Sequence, residues 1–132
     1  MPHCTKITPN LIVSSVESSL AFYEGVLGFT RGMTVPEQSP FVFASVSSGP
    51  VEIFFNDPGP ASEEYPSLAG RPLGLTGTLF IEVAEIEALY DELKGKTQVV
   101  MPFIVQWYGM KEFAITDPDG YVITFAQRSA ST

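Results

Sequence analysis

The chain of 132 residues contains one cysteine, one histidine and one tryptophan, and only 7 basic residues stand against 15 acidic ones. The single cysteine, Cys4, excludes an internal disulfide framework and any multi-cysteine zinc or iron–sulfur site. The single histidine, His3, excludes a histidine-rich metal centre within one chain. A formal net charge of −8 leaves no basic face for nucleic-acid phosphates or an anionic membrane, and would steer a cationic small molecule favourably. No apolar run approaches the roughly 18 residues that a membrane span requires, and the longest, Val99–Val105, contains Pro102. The opening residues lack the charged-then-apolar pattern of a secretory leader, so a cytoplasmic protein is expected.

What the chain does have is core-forming residues. A hydrophobic fraction of 45% with 17% charged residues is enough for one compact domain or two small repeated units. The repeat is visible in the residues. KITPNLIVSSVESSLAFYEGVLGF opens the first half and LTGTLFIEVAEIEALYDELKGK the second. Each reads as a strand-length apolar run, a short polar link and a stretch of helical period. Val16, Leu20, Tyr23 and Leu27 form one stripe, and Ile86, Leu89, Tyr90 and Leu93 form the other. Ser14 with Glu17 three residues on predicts a capping box at the first helix start, while Gly28 and Gly95 mark stops. Strand-like segments follow at Thr30–Val35, Pro40–Ser47 and Pro50–Asn56, then at Thr97–Met101, Met110–Thr116 and Tyr121–Gln127. The predicted order is strand, helix, strand, strand, strand, twice over. The modules cover about 5–56 and 75–128 within a single domain. Residues 57–77 between them hold four prolines and four glycines and are expected to form a linking loop, neither helix nor strand.

Two stretches carry a family resemblance. LIVSSVESSLAFYEGVLGF resembles the opening, and YGMKEFAITDPDGYVITF the close, of the vicinal oxygen chelate superfamily, which includes glyoxalase I, extradiol dioxygenases and bleomycin-resistance proteins. The resemblance covers nearly the whole chain. It implies an α+β fold of two paired βαβββ modules around a cupped mixed sheet with an open cleft. Metal enzymes of this superfamily place one ligand on the first and one on the last strand of each module. Those positions fall on Thr8, Glu52, Thr78 and Thr124 here. Divalent ions are held by carboxylates, imidazoles or thiolates, so three hydroxyls and one carboxylate lack the charge and coordination required. The expectation is no metal and no other cofactor.

Under that resemblance the cleft floor is polar but uncharged at Thr8, Thr78 and Thr124. Strand alternation carries Asn10, Phe54 and Phe80 to the same side. Threonine is also an ordinary strand residue, which explains those positions without any ligand. Glu52 is either a surface glutamate or a lone cleft carboxylate that would favour a cationic or amine-bearing ligand or act as a weak general base. Trp107 and Tyr108, just before Gly109, either cap the core edge or stack on a planar ligand. Asp117-Pro118-Asp119-Gly120 reads as a tight turn. Lys111 and Glu112 fall on opposite faces of one strand, and alternation does not say which of them faces the cleft.

The branch most resembled is the metal-free bleomycin-resistance one. It implies a homodimer that sequesters a small organic molecule, cationic or aromatic, as an antibiotic-resistance protein does. The alternative is an enzyme of the same superfamily with a non-standard site: a glyoxalase-type lyase or isomerase, a dioxygenase, or a fosfomycin-resistance-like thiol transferase. In that case Glu52 is the candidate base. Nucleic acid and membrane are not expected partners.

Overall fold

A computed structural model describes residues 2–74 and 76–130 of the chain. Two units divide between Pro72 and Leu73. In the first, β1 (Asn10–Ile12), α1 (Val16–Gly25), β2 (Thr30–Val35), β3 (Phe43–Ser48) and β4 (Val51–Asn56) follow in order. They build a four-stranded sheet in the order β1-β4-β3-β2. Strand β1 runs parallel to β4 and the other pairs are antiparallel. A parallel pair cannot be closed by a hairpin, so α1 makes the first crossover.

Helix α1 forms where the apolar stripe predicts it, but its cap falls one residue later. The Ser15 side chain accepts the Ser18 N–H at 3.1 Å, so Ser15 rather than Ser14 is the N-cap. Glu17 reaches beyond the helix. Its carboxylate accepts from the Ser39 hydroxyl and the Phe41 N–H, each at 2.7 Å, and so pins the β2–β3 connection. These bonds hold the Glu17 carboxyl below its ordinary range, the Ser39 hydroxyl having the largest effect. The helix ends at Gly25, and Gly28 takes a left-handed φ of 74° that any β-carbon would strain. Leu27 therefore lies past the helix and is only half-buried. Val16, Leu20 and Tyr23 are fully buried against Leu11, Val46, Ile53 and Phe55, with the Tyr23 and Phe55 rings 4.8 Å apart.

The second unit repeats this plan with β5 (Thr78–Glu82), α3 (Ile86–Leu93), β6 (Val99–Val105), β7 (Met110–Thr116) and β8 (Val122–Arg128). Its sheet order is β5-β8-β7-β6, with β5 parallel to β8. Ile86, Leu93 and the Tyr90 ring pack on Phe113, Ile115, Ile123 and Phe125, the Tyr90 and Phe113 rings standing 5.0 Å apart. The start of α3 is capped from a distance: Ile86 N–H donates to Gln127 Oε1 at 2.9 Å. Strand β6 runs on through Pro102 to Val105, four residues beyond the expected end at Met101. It is an edge strand with register shifts on either side of Met101, where a missing N–H costs no ladder bond. Asp117-Pro118-Asp119-Gly120 is the expected turn, its Asp117 carboxylate accepting the Asp119 and Tyr121 N–H groups at 2.9 Å. The cupped sheet implied by resemblance is thus two four-stranded mixed sheets, one in each unit.

The linking segment differs from expectation. Residues Pro58–Glu64 form helix α2 and Pro66–Leu68 a turn of 3-10 helix. Asp57 is the N-cap, accepting the Gly59 N–H at 3.0 Å, and Pro58 takes the first helical position, where no N–H is needed. Among the described residues no helix is long and apolar enough to cross a membrane.

Candidate functional site

In each unit the helix covers one sheet face, and strand alternation sends the remaining side chains to the other. On the face of the first sheet opposite α1, Asn10 and Ser45 lie level with Phe54, and Ser47 lies level with Glu52. Phe43 and Phe54 stack in a tilted pair 5.2 Å apart. Asn56 Nδ2 donates to Asn10 Oδ1 at 2.6 Å, and Asn10 Nδ2 donates to the Tyr65 hydroxyl at 3.4 Å, which ties the end of α2 to this sheet. Thr8 lies two residues ahead of Asn10, outside the strand and half-buried.

Of the two readings of Glu52, surface glutamate or lone cleft carboxylate, the second has to allow for a neighbouring cation. Lys6 Nζ donates to Glu52 Oε1 at 2.7 Å, so this carboxylate already has a cationic partner from the segment before β1. Sequence alternation had no means of finding a contact between residues 46 positions apart.

On the helix-free face of the second sheet, Thr124 Oγ1 donates to Thr78 Oγ1 at 3.1 Å, and Phe80, level with Thr124, is 54% exposed. Trp107 and Tyr108 occupy the β6–β7 hairpin turn. It is closed by Gln106 N–H donating to the Met110 carbonyl at 2.7 Å and by Gly109 at a φ of 87°. Trp107 is 92% exposed, so it does not cap a core edge, and it meets the Tyr108 ring edge-on at 5.3 Å. The Tyr108 hydroxyl donates to Glu112 Oε2 at 2.7 Å, and that bond holds the phenol above its ordinary range.

Glu112 is the group that sequence reasoning left undecided. Its register partner on β8 is Ala126, two residues from Thr124, so it shares the helix-free face with Thr124, Thr78 and Phe80. Lys111 points the other way, pairing with Glu87 of α3. The sequence signal for the orientation lay in α3, whose acidic first turn supplies the partner for Lys111.

The four positions where the resemblance would place metal ligands do not fit a divalent ion. Thr78 and Thr124 are neutral hydroxyls bonded to each other, Thr8 is a third hydroxyl, and the Glu52 carboxylate is engaged by Lys6. Hydroxyls at such positions supply neither the charge nor the strong donors that replace an ion's water shell.

Comparison with known proteins agrees with this architecture. The sequence profile described as the Glyoxalase/Bleomycin resistance protein/Dioxygenase superfamily matches residues 1–125. The bleomycin resistance protein of Geobacillus stearothermophilus is 29% identical over 130 residues, covering 93% of this chain and 96% of the relative. A bleomycin resistance protein of Staphylococcus aureus aligns with the same identity and coverage. Among solved structures, a glyoxalase/bleomycin resistance protein/dioxygenase from Nocardioides superposes with a TM-score of 0.81 at 21% identity, covering 100% of this chain and 88% of that one. TioX from Micromonospora sp. ML1 superposes with a TM-score of 0.75 at 12% identity over 95% of this chain and 99% of its own. The profile match along nearly the whole chain, on two βαβββ units, settles the family: the chain belongs to the Glyoxalase/Bleomycin resistance protein/Dioxygenase superfamily.

Proposed function

We propose that this protein is a metal-free binding protein that sequesters a small organic molecule, cationic and partly aromatic, of the bleomycin kind. The observation that carries the reading is the substitution of hydroxyls for ligands: Thr78 and Thr124 satisfy each other where the superfamily's enzymes would hold an ion. Sequestration needs affinity and no Lewis acid, so that replacement is no handicap to a binder. The named bleomycin-resistance relatives and the net charge of −8 support the same guest. The residues proposed to meet a ligand are, in the first unit, Thr8, Asn10, Glu52 and Phe54 and, in the second, Thr78, Phe80, Thr124, Trp107 and Tyr108, the strand residues among them set on the sheet face opposite α1 or α3. Exposed rings with a few polar groups suit an organic guest. Because Glu52 is paired with Lys6, the charge of a cationic guest is assigned to another group.

The reading includes a homodimer acting in the cytoplasm, and light scattering on the purified protein tests the first of these against a chain mass of 14.4 kDa. Calorimetry with metal-free bleomycin tests the function itself. Saturable binding in the presence of EDTA is expected, and an absence of binding overturns the reading.

A further inference from the structure

The anionic group on the second helix-free face is withdrawn from water, Glu112 being only 3% exposed. Its partners are both neutral: the Tyr108 hydroxyl at 2.7 Å on Oε2 and the Gln106 amide at 3.3 Å on Oε1. Among the described residues the ion pairs are Lys6–Glu52, Arg31–Glu24, Lys94–Asp91, Lys96–Glu92 and Lys111–Glu87, so every lysine is engaged elsewhere, and Arg128, exposed two residues beyond Ala126 on the same face, forms no ion pair with Glu112. A carboxylate accepts about four hydrogen bonds, so two neutral donors leave half its capacity unused. The unused acceptor sites can take the N–H donors of a cation. Ala114 and Ala126 flank it on the same face, and a small apolar residue would fit the strand as well as they do. Directly at this carboxylate stands an aromatic pair, Tyr108 in hydrogen-bond contact and Trp107 against its ring, both open to solvent.

We infer that Glu112 is the anchor for a planar cation of the amidinium or guanidinium type, with the Trp107 ring as the stacking surface and the Tyr108 hydroxyl as the donor that the ligand's N–H groups displace. This rests on the reading of the protein as a binder of a cationic aromatic guest, and names the group that recognises the charge. Two N–H donors of a planar cation match the two oxygens of a carboxylate, a geometry that a neutral amide ligand does not reproduce.

Trp107 is the only tryptophan in the chain, so its fluorescence reports directly from this hairpin. The probe is benzamidine, a planar aromatic cation, with neutral benzamide as its isostere. The wild-type protein is expected to show saturable quenching with benzamidine and at least tenfold weaker response to benzamide. Glu112→Gln is expected to weaken benzamidine binding at least tenfold, whereas Glu64→Gln, an exposed change of equal charge on α2, leaves it unchanged. Tyr108→Phe keeps the ring and frees the carboxylate, and is expected to bind benzamidine more tightly. It also guards against a Glu112 variant that fails to fold. Equal affinity in Glu112→Gln, equal affinity for benzamide, no saturable quenching in the wild type, or loss of binding in Tyr108→Phe would each overturn the inference. Calorimetry with bleomycin separates it from the broader reading. Bleomycin bound alike by wild type and Glu112→Gln overturns the anchor and leaves the function standing; benzamidine held through Glu112 with no bleomycin binding does the reverse.

Discussion

Removing the Trp107 ring is expected to separate the proposed binding from folding. The ring is 92% exposed and meets the Tyr108 ring edge-on, so Trp107→Ala deletes almost no buried surface. Its effect on folding is expected to stay within about 0.5 kcal/mol, as for other exposed positions. Binding is a different matter. A planar guest laid on one face would cover roughly 60 Å² of ring, contributing about 1.5 kcal/mol at about 25 cal/mol per Å². The stacking geometry adds roughly 0.5–1.5 kcal/mol, and ordering the freely exposed side chain removes about 1 kcal/mol. The net of about 1–2 kcal/mol corresponds to a roughly 5- to 30-fold weaker dissociation constant. Isothermal titration with bleomycin, beside a thermal melt of the same variant, measures both quantities. A dissociation constant within about twofold of wild type would refute the stacking role. A melting temperature lowered by several degrees would show that the ring is structural after all.

Other predictions concern the scaffold. A β-carbon at Gly32 would stand 2.5 Å from Ser45 Oγ, which itself accepts the Met33 N–H at 2.9 Å inside the β2 bulge. Gly32→Ala is therefore expected to destabilise by about 1–3 kcal/mol, and the double variant with Ser45→Ala by less than the two single effects added, in urea unfolding. Phe113, fully buried between the Tyr90 and Phe125 rings, is expected to cost about 3–5 kcal/mol on truncation to alanine, measured the same way. Glu17 has a carboxyl held below its unfolded value, so its contribution is present above that value and lost as the pH falls through the folded one. The stability gap between wild type and Glu17→Gln should thus be open at neutral pH and close under acid. A gap that persists at acid pH would assign the effect to something other than ionisation.

The portions of this fold that were readable in the sequence are those set by local period. The apolar stripe Val16, Leu20 and Tyr23 and the limits of β2 and β7 follow from alternation and helical spacing, which the sheets and helices preserve. The helix in the linking segment was hidden because proline counts as a breaker everywhere except the first turn, where Pro58 sits behind the Asp57 cap. Tyr65 then fastens that helix to Asn10, 55 residues away, a contact with no local signature. The site was less legible still. Alternation puts Lys111 and Glu112 on opposite faces but does not choose between them; the choice rests on Glu87, which belongs to another element. Glu52 drew attention as a lone acid because its partner, Lys6, lies in a stretch without strand or helix pattern. Long-range pairing of charged groups decides which carboxylates already have a cationic partner, and no periodicity encodes it.

We propose that this superfamily scaffold grips an organic cation without an ion of its own. The decisive measurement is titration calorimetry of chelator-treated protein with metal-free bleomycin in EDTA. Saturable, stoichiometric binding that the chelator does not weaken is expected. Binding that appears only when a divalent metal is added back to the protein would overturn the proposal.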